Sequence, residues 1–292
     1  MAALSEIVER LAQPLGPVTA VPVPLEGGIT NRNFRVRFGG RDYVVRLPGK
    51  DTALLGIDRA AEWQANRMAA ELGIAPTVAA ADEDCLVTEF LGAAPADAER
   101  AVEPLARALR AFHDSSGRLP VRFWVPELLD EYASIVTDRG GTLPADYAGA
   151  QALSRRIAGV LPLVAPVPCH NDLLPGNLLQ TADRVVLVDW EYAGMGHRLF
   201  DLGNLAVNND FGPEAEQRLL DAYFGEPPSA ARAAALKLMR LMSDAREAAW
   251  GVLQAVVSDL DFDFAAYAHK HFDRLRLAAP HLEAWLGDAA TT

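Results

Sequence analysis

The sequence has little cysteine, since Cys85 and Cys169 are the two in 292 residues. They lie far apart and show no metal-ligand spacing, so neither a disulfide framework nor a zinc site is expected, and a reduced protein is favoured. No apolar run approaches the roughly 20 residues of a membrane span. The N-terminal segment predicts an acidic amphipathic helix rather than a secretion signal. We therefore expect a cytoplasmic protein without a membrane partner.

Basic residues are scarce relative to acidic ones. Lys and Arg together number 27 against 39 Asp and Glu, which gives a formal net charge of −12. This balance argues against nucleic acid or an anionic membrane surface as a partner. The sequence also lacks a plausible Ser-His-Asp or Cys-His set, so a nucleophilic side chain is not expected. At this length, with half the residues apolar, the chain can form one large or two modest domains.

One stretch, residues 169–194, predicts a β-hairpin with polar residues placed along it: CHNDLLPGNLLQTADRVVLVDWEYAG. Its strands are two short apolar segments, residues 177–179 and 185–188, joined by a polar turn. If the hairpin centres on Asp183, then Asn177 and Asp189 lie directly opposite each other. Cross-strand neighbours have Cβ atoms about 5 Å apart. The amide and the carboxylate would therefore meet.

An amide oxygen and a carboxylate at this separation suit one Mg²⁺ or a pair, because Mg²⁺ prefers oxygen ligands. Asp172 lies five residues before Asn177 and can face the same point without binding metal. This is the layout of phosphoryl transfer from Mg·ATP to a hydroxyl group. The alternative is a buried hairpin with solvated turn residues, but the pairing of Asn177 with Asp189 favours catalysis.

The stretch resembles the catalytic and metal-binding segments of the aminoglycoside phosphotransferase and choline/ethanolamine kinase superfamily, which is related to protein kinases. The runs DWEYAG and FDLGN are more similar to choline/ethanolamine kinases than to antibiotic kinases. The resemblance covers most of the chain. It implies Mg²⁺, ATP as co-substrate, and Asp172 as the base that accepts the proton of the acceptor hydroxyl. Asn177 and Asp189 would bind the metal with help from Glu191.

The resemblance implies an α+β, bilobal, protein-kinase-like fold with the nucleotide between the lobes. Residues 1–91 would form an N-terminal lobe with a five-stranded antiparallel sheet and one main helix. Residues 92–292 would form a mostly helical C-terminal lobe that carries the catalytic hairpin. Strands are expected at residues 19–25, 33–38, 41–47, 77–81 and 85–90. Helices are expected at residues 5–13, 101–112, 127–137, 147–161, 229–257 and 264–285, with one more after Asp58.

Two segments of the N-terminal lobe are candidates for ATP binding. The loop GGITN, residues 27–31, allows a close backbone approach, and Thr30 and Asn31 can donate hydrogen bonds to phosphates. It resembles the nucleotide loop of the family. In the family, the connector around Glu89 and Leu91 presents backbone groups to the adenine edge.

Arg46 stands in an otherwise apolar strand and needs an anionic partner if it is buried. Choline kinases are similar in using Arg where other kinases use a phosphate-gripping Lys. Glu62, in the first turn of the helix capped by Asp58, would pair with it. The alternatives are an edge-strand Arg that faces water and a Glu that merely suits the helix dipole.

Three further polar residues are expected to support the structure. His113 ends a helix, where a His suits the dipole. His170 packs within the catalytic loop. Asp201 could cap the following helix, or, as in kinase-like folds, brace the catalytic loop by hydrogen-bonding its backbone.

The C-terminal aromatic residues predict the acceptor site. Quaternary ammonium groups bind in aromatic cages, and Trp offers the best ring face. The segment around Trp250, Phe264 and Tyr267 resembles the choline kinase segment that lines the choline site, and Tyr192 would close the cage. Filling of the core is the alternative role. Two positions depart from the family: Leu253 replaces a second tryptophan, and Asn208 replaces a glutamate of eukaryotic members.

The function predicted from the sequence is ATP-dependent phosphorylation of an amino alcohol, first of all choline to phosphocholine, by a monomer or homodimer. Ethanolamine, an aminoglycoside, homoserine or a sugar are alternative acceptors. An aminoglycoside would be favoured by acidic residues near the C-terminus: Asp259, Asp261 and Asp263. A nucleotide-binding scaffold without turnover would be favoured by a missing catalytic residue, and Asp172, Asn177 and Asp189 are all present.

Overall fold

The computed structural model describes residues 4–25, 31–49 and 52–291, which fall into two compact units. One, called the N-terminal unit below, comprises Met1–Ala96 and Gly176–Glu191. The other, the C-terminal unit, comprises Asp97–Pro175 and Tyr192–Thr292.

The strands of the described residues are β1 Val23–Leu25, β2 Arg32–Phe38, β3 Arg41–Leu47, β4 Val78–Ala81, β5 Leu86–Glu89, β6 Ala94–Pro95, β7 Val167–Cys169, β8 Leu178–Gln180, β9 Val185–Leu187 and β10 Gly194–Gly196. The α-helices are α1 Leu4–Leu15, α2 Arg59–Glu71, α3 Val102–His113, α4 Val125–Asp138, α5 Asp146–Val160, α6 Arg198–Asn208, α7 Pro213–Phe224, α8 Ala230–Val257, α9 Phe264–Ala278 and α10 Leu282–Ala289. Short 3₁₀ turns lie at Thr52–Leu55, Pro175–Asn177 and Ala279–His281.

The N-terminal unit is built on an antiparallel sheet of five strands in the order β1-β2-β3-β5-β4. Alternate residues of a strand face the same side, so Val36 and Phe38 of β2 both face the core under α1. Ile7 and Leu11 of α1 pack there. The predicted five-stranded antiparallel sheet is confirmed, whereas α1 runs past its predicted end and includes Pro14.

Helix α2 begins where the sequence predicted. The Oδ1 of Asp58 accepts a hydrogen bond of 2.8 Å from the backbone N–H of Ala61, which satisfies one of the free donors of the first turn. The chain leaves the helix at Gly73, whose φ of 76° is a left-handed conformation that glycine adopts at little cost. The predicted helix and its cap are confirmed.

The predicted hairpin is present as β8 and β9, but its predicted register is wrong by one residue. Leu178 pairs with Leu187 and Gln180 pairs with Val185. The backbone N–H of Val188, rather than Asp189, therefore bonds the carbonyl oxygen of Asn177, at 3.0 Å.

The turn explains this register. The backbone N–H of Thr181 donates to the carbonyl oxygen of Arg184 at 2.9 Å, so the centre falls between Ala182 and Asp183. The hydroxyl of Thr181 also contacts the Asp183 carboxylate, at 2.7 Å. Beyond β9, Asp189 has a φ of 64°, and this left-handed conformation ends the strand.

The hairpin belongs to the N-terminal unit, although the sequence assigned it to the C-terminal lobe. Strand β6 pairs with β8, with Ala94 opposite Gln180. The backbone N–H of Leu187 also donates to the carbonyl oxygen of Ile74, at 2.8 Å. These backbone bonds attach the hairpin to the chain that precedes residue 97.

The C-terminal unit is mostly helical and is organised around α8, against which α4, α6, α9 and α10 pack. The predicted helices of this unit are present, with ends shifted by a few residues. The predicted helix at 264–285 is wrong in one respect, because it is interrupted at Ala279–His281. Pro280 lacks the N–H that a continuous helix would need. None of the described helices has the length and apolar character to cross a bilayer.

The crossing of α6 and α8 requires glycine at position 203. A Cβ added there would lie 2.5 Å from the backbone carbon of Met239 and 2.8 Å from the backbone nitrogen of Arg240. Gly203→Ala is therefore expected to destabilise the fold by about 2–3 kcal/mol through overpacking. Thermal and urea unfolding would measure the change.

Gly149→Ala in α5 is the matched control, because its added Cβ would have no described atom within 4 Å beyond its chain neighbours and the adjacent backbone of its own helix. We expect it to be neutral or to stabilise the fold by up to about 1 kcal/mol. Equal stability of the two variants would contradict the proposed tightness of the α6–α8 crossing.

Candidate active site

The loop that carries Asp172 is fixed by a buried carboxylate. The Oδ2 of Asp201 accepts from the backbone N–H of His170 at 2.8 Å, and its Oδ1 accepts from that of Asn171 at 2.7 Å. The Nε2 of His113 lies 3.0 Å from Oδ2, and its Nδ1 lies 2.7 Å from the hydroxyl of Tyr223. The geometry therefore agrees with the predicted role of Asp201 in bracing the loop and with the predicted structural role of His113.

The alternative role of Asp201 as a helix cap is wrong. Helix α6 begins three residues earlier, and His197 is its N-cap, with Nδ1 accepting from the backbone N–H of Leu199 at 3.2 Å. Burial lowers the pKa of His197 to about 4, and Arg198 and His113 add to the shift. The ring is thus neutral near pH 7 and can accept this bond.

Asp172 is itself nearly buried, and its neighbours in the chain are held on both sides. Its backbone N–H donates to the Nδ1 of His170 at 3.2 Å, which confirms the packing role of that histidine. The next residue, Leu173, donates its N–H to the Oδ1 of Asn204 at 2.5 Å. Asn171 has a φ of 67° and donates to the carbonyl oxygen of Tyr192 at 3.0 Å. The position of the Asp172 carboxylate is therefore preset by the loop.

The N-terminal unit brings Arg46, Glu62 and Asp189 together. Arg46 forms ion pairs with both carboxylates and is 8% exposed, while Glu62 is 1% exposed. Strand β3 lies between β2 and β5, so the alternative of an edge-strand Arg facing water is wrong. The expected Arg46–Glu62 contact is confirmed. Its role in gripping phosphates stays a prediction.

Glu191 lies beside this cluster and is also held by protein groups. The Nδ2 of Asn31 donates to its Oε2 at 2.8 Å, and the Nη1 of Arg59 lies 3.5 Å from the same oxygen. Arg59 donates to the Oε2 of Glu62 at 2.7 Å. It therefore links two carboxylates that the sequence had assigned to separate roles.

Arg59 was not predicted as a site residue, although the sequence contains a signal for it. Arg59 is the first residue of α2, where a positive charge is unfavourable next to the helix dipole. An arginine at such a position needs carboxylate partners. Burial lowers the pKa of Arg59, and the charge of Arg46 adds to this effect, whereas Glu191 and Asp189 oppose it.

A cavity of about 420 Å³ in the N-terminal unit is lined by most of the residues predicted to bind nucleotide or metal. Arg46, Glu89, Leu91, Asn177 and Asp189 line it. Its size is typical of small-molecule sites, which span roughly 300–1,000 Å³. Residues 27–30 of the GGITN loop, including Thr30, lie outside the described residues. Asn31 is therefore the one residue of this loop whose position is described.

The predicted metal ligands are Asn177, Asp189 and Glu191, all in the N-terminal unit. They offer an amide oxygen and carboxylates without sulfur or imidazole, and this donor set fits Mg²⁺ rather than zinc. Asp189 follows the end of β9 in a left-handed conformation, so its side chain is not directed by the regular pleat of the strand. The metal role of these residues stays a prediction.

The aromatic residues predicted for the acceptor site are adjacent in the C-terminal unit. The ring of Trp250 lies edge-on to Phe264 and Tyr267, with centroids 5.8 and 5.6 Å away. Its Nε1 donates to the hydroxyl of Tyr192 at 2.8 Å. Trp250, Phe264 and Tyr192 are each less than 7% exposed. The sequence therefore identified a real cluster, and its role in binding an acceptor stays a prediction.

Two charged residues in this cluster were missed, Arg246 and Glu247. The Nη1 of Arg246 lies 3.3 Å from the Oδ1 of Asp172 and 2.7 Å from the Oε1 of Glu247. Glu247 also accepts from the hydroxyl of Tyr267, at 2.8 Å. A signal was available, because Arg246 stands four residues before Trp250 and so shares its face of α8.

The charges of this pair stabilise each other. Burial alone would lower the pKa of Arg246, but Glu247 and Asp172 outweigh it, so the pKa lies well above its usual value. Burial alone would raise the pKa of Glu247, but the nearby charges of Arg246 and His271 lower it below its usual value. Both residues are therefore ionised near neutral pH.

Comparison with known proteins gives consistent matches. The sequence profile of the phosphotransferase enzyme family matches residues 22–236. Protein LicA of Haemophilus influenzae is 23% identical over 266 residues, covering 87% of this chain and 78% of that protein. Ethanolamine kinase 2 of Mus musculus is 28% identical over 294 residues, covering 88% of this chain and 76% of that protein.

Solved structures show the same fold. A choline/ethanolamine kinase family protein from Mesorhizobium loti has a TM-score of 0.80 and 29% identity, with 99% of each chain covered. The choline kinase LicA from Streptococcus pneumoniae has a TM-score of 0.76 and 22% identity, with 97% of this chain and 100% of that chain covered. The predicted kinase-like α+β fold and the resemblance to choline/ethanolamine kinases are confirmed.

Proposed function

Because this chain belongs to the phosphotransferase enzyme family, we propose that it transfers the γ-phosphoryl group of ATP to the hydroxyl group of an amino alcohol. The observation that carries the proposal is the preset carboxylate of Asp172, whose loop is fixed by Asp201 and Asn204. A carboxylate held in this way can accept the proton of an alcohol as the oxygen attacks phosphorus.

The nucleotide would occupy the cavity of the N-terminal unit. Backbone groups around Glu89 and Leu91, which line this cavity, would meet the adenine edge. Arg46 would bind phosphate oxygens, with Glu62 fixing its orientation through their buried ion pair. Thr30 and Asn31 would donate hydrogen bonds to the phosphates.

The residues proposed to hold Mg²⁺ are Asn177, Asp189 and Glu191. When bound, Mg²⁺ offsets the negative charge of the phosphate oxygens. Arg59 and Asn31 hold Glu191, and Arg46 holds Asp189, so each proposed carboxylate ligand is kept in place by a donor of the protein. The chain thus orders these ligands through its own hydrogen bonds and ion pairs.

The acceptors to consider first are choline and ethanolamine, since the related proteins carry the names of kinases for these alcohols. Trp250, Phe264, Tyr267 and Tyr192 would line the acceptor site in the C-terminal unit. They form one cluster, buried except at Tyr267, that Arg246 connects to Asp172. An acceptor held against these rings would have its hydroxyl group near the base.

The test is coupled ADP release from Mg·ATP with a panel of acceptors: choline, ethanolamine, homoserine and kanamycin. We expect acceptor-dependent turnover with one of the two amino alcohols and none with kanamycin. Turnover with kanamycin alone would contradict the proposed acceptor class, although it would support the phosphotransferase reaction. ATP binding without turnover on any member would contradict the proposed function.

A further inference from the structure

The aromatic cluster of the C-terminal unit already contains a cation that belongs to the protein. The guanidinium carbon of Arg246 lies 4.2 Å from the centroid of the Tyr192 ring. This distance is well within the roughly 6 Å at which a cation is attracted to an aromatic face. Arg246 therefore occupies one face of a ring that would otherwise be available to the ammonium group of a substrate.

Arg246 is held firmly in this position. Its side chain is 2% exposed and bridges Asp172 and Glu247 through Nη1. Removing a guanidinium from between two nearly buried carboxylates would leave both of them without this partner, which is strongly unfavourable. The Nε and Nη2 atoms are buried and make no hydrogen bond to any described residue, so ion pairs and the ring face hold the group.

The aromatic rings of the cluster are also committed to one another. Trp250 donates its Nε1–H to the hydroxyl of Tyr192 and packs edge-on against Phe264 and Tyr267. The hydroxyl of Tyr267 is bonded to Glu247, which in turn pairs with Arg246. A bulky cation could reach the Tyr192 face beside Asp172 only by displacing this whole set of contacts.

We propose that Arg246 is a specificity-determining residue that takes the place of a quaternary ammonium against Tyr192, so that the enzyme selects acceptors with a compact amino group over trimethylated ones. The inference rests on the proposed function, because it concerns the acceptor whose hydroxyl reaches Asp172. It also predicts the effect of removing Arg246. The space it leaves adjoins the Tyr192 ring, Asp172 and Glu247, and this combination attracts an ammonium group.

The experiment uses a graded series of acceptors in the coupled ADP assay: ethanolamine, its N-methyl and N,N-dimethyl derivatives, and choline. For the wild type, kcat/KM is expected to fall at least about 10-fold from ethanolamine to choline. Arg246→Met should reduce this difference by about 10-fold, the effect of one desolvated cation–π contact. The readout is the ratio of kcat/KM for ethanolamine to kcat/KM for choline. A general loss of activity would lower kcat/KM for all the acceptors equally and leave this ratio unchanged.

Arg240→Met is the matched control. Arg240 also lies on α8 and pairs with a nearly buried glutamate, Glu216. Within the described part of the chain, its hydrogen bonds go to Glu216 and to the carbonyl oxygen of Phe211, outside the aromatic cluster. It should retain the wild-type ratio. If Arg246→Met fails to fold, Arg246→Lys serves instead, since it keeps the charge but loses the flat guanidinium, and it should shift the ratio in the same direction.

Wild-type preference for choline, or an unchanged ratio in the Arg246 variants, would overturn the inference. A second experiment distinguishes failure of this inference from failure of the proposed function. Titration calorimetry with tetramethylammonium chloride should detect binding to Arg246→Met and none to the wild type at the same concentration. If no acceptor is turned over but this difference appears, the proposed reaction fails, while the exclusion of a quaternary ammonium by Arg246 is upheld. Equal tetramethylammonium binding to both proteins would overturn the inference whatever the turnover.

Discussion

Asp172→Ala is expected to bind Mg·ATP nearly as well as the wild type and to lose almost all phosphoryl transfer to an acceptor. The phosphate-binding and metal-binding candidates lie in the N-terminal unit, whereas Asp172 belongs to the C-terminal unit. Removal of a general base lowers turnover by about 10²–10⁴-fold. We expect the upper end of this range, because the loop holds this carboxylate in one position. Coupled ADP release and nucleotide titration would measure the two properties.

Asp183→Ala provides the control for Asp172→Ala. Asp183 is an exposed aspartate in the turn of the hairpin, and its carboxylate contacts Thr181. It should keep full turnover. Because Asp172 pairs with Arg246, the unfolding temperature of both variants must be measured as well. Retained turnover in a folded Asp172→Ala protein would overturn the assigned base.

Arg46→Met should weaken both nucleotide binding and the fold. Arg46 is the shared partner of Glu62 and Asp189, and Glu62 is 1% exposed. Loss of one partner of a buried ion pair costs about 3–5 kcal/mol, because the other charge is left unpaired. Loss of a charged hydrogen bond to phosphate should raise the Kd for ATP by about 100-fold. Urea unfolding and nucleotide titration would measure the two effects.

A double-mutant cycle separates these two roles of Arg46. In Arg46→Met combined with Glu62→Gln, the buried carboxylate is gone, so part of the lost stability should return. ATP binding should stay weak, because the phosphate partner is still absent. Arg41→Met, at the exposed start of the same strand, should match the wild type in both properties. If Arg46→Met binds ATP as tightly as the wild type, then Arg46 does not bind phosphate and only stabilises α2 through its ion pair with Glu62.

The parts of the fold that depend on local chemistry were predictable from the sequence. Strand-like segments, with clear alternation in the third, predicted the strands of the main sheet, and Asp58 predicted the start of α2. The need of Arg46 for an anionic partner was also predictable, since burying an unpaired arginine in an apolar strand is costly, and the resemblance to kinases indicated Glu62 as that partner. In each case the prediction depends on a pattern of a few neighbouring residues, or on one strong physical requirement such as the pairing of a buried charge.

Small local errors came from competing hydrogen bonds and from proline. The hairpin register depends on which backbone groups close its turn. Because Thr181 bonds to Arg184, Asn177 lies opposite Val188 rather than opposite Asp189. This moved Asp189 by one position, yet it kept the residue close enough to Arg46 to form an ion pair. Pro280 interrupts the last predicted helix, and this signal was present in the sequence.

By itself, the sequence determined the sheet, the helices, the aromatic cluster and the candidate base. Apart from the Arg46–Glu62 pair, only the tertiary structure decided which charges neutralise one another. Arg246 meets Asp172 across 74 positions of the chain, and Arg59 meets Glu191 across a still longer separation. Hydrophobic periodicity and capping act over a few residues, so a sequence displays them directly. A buried ion pair forms only when packing brings two distant residues into the same dry environment, and no local pattern records which partner that will be.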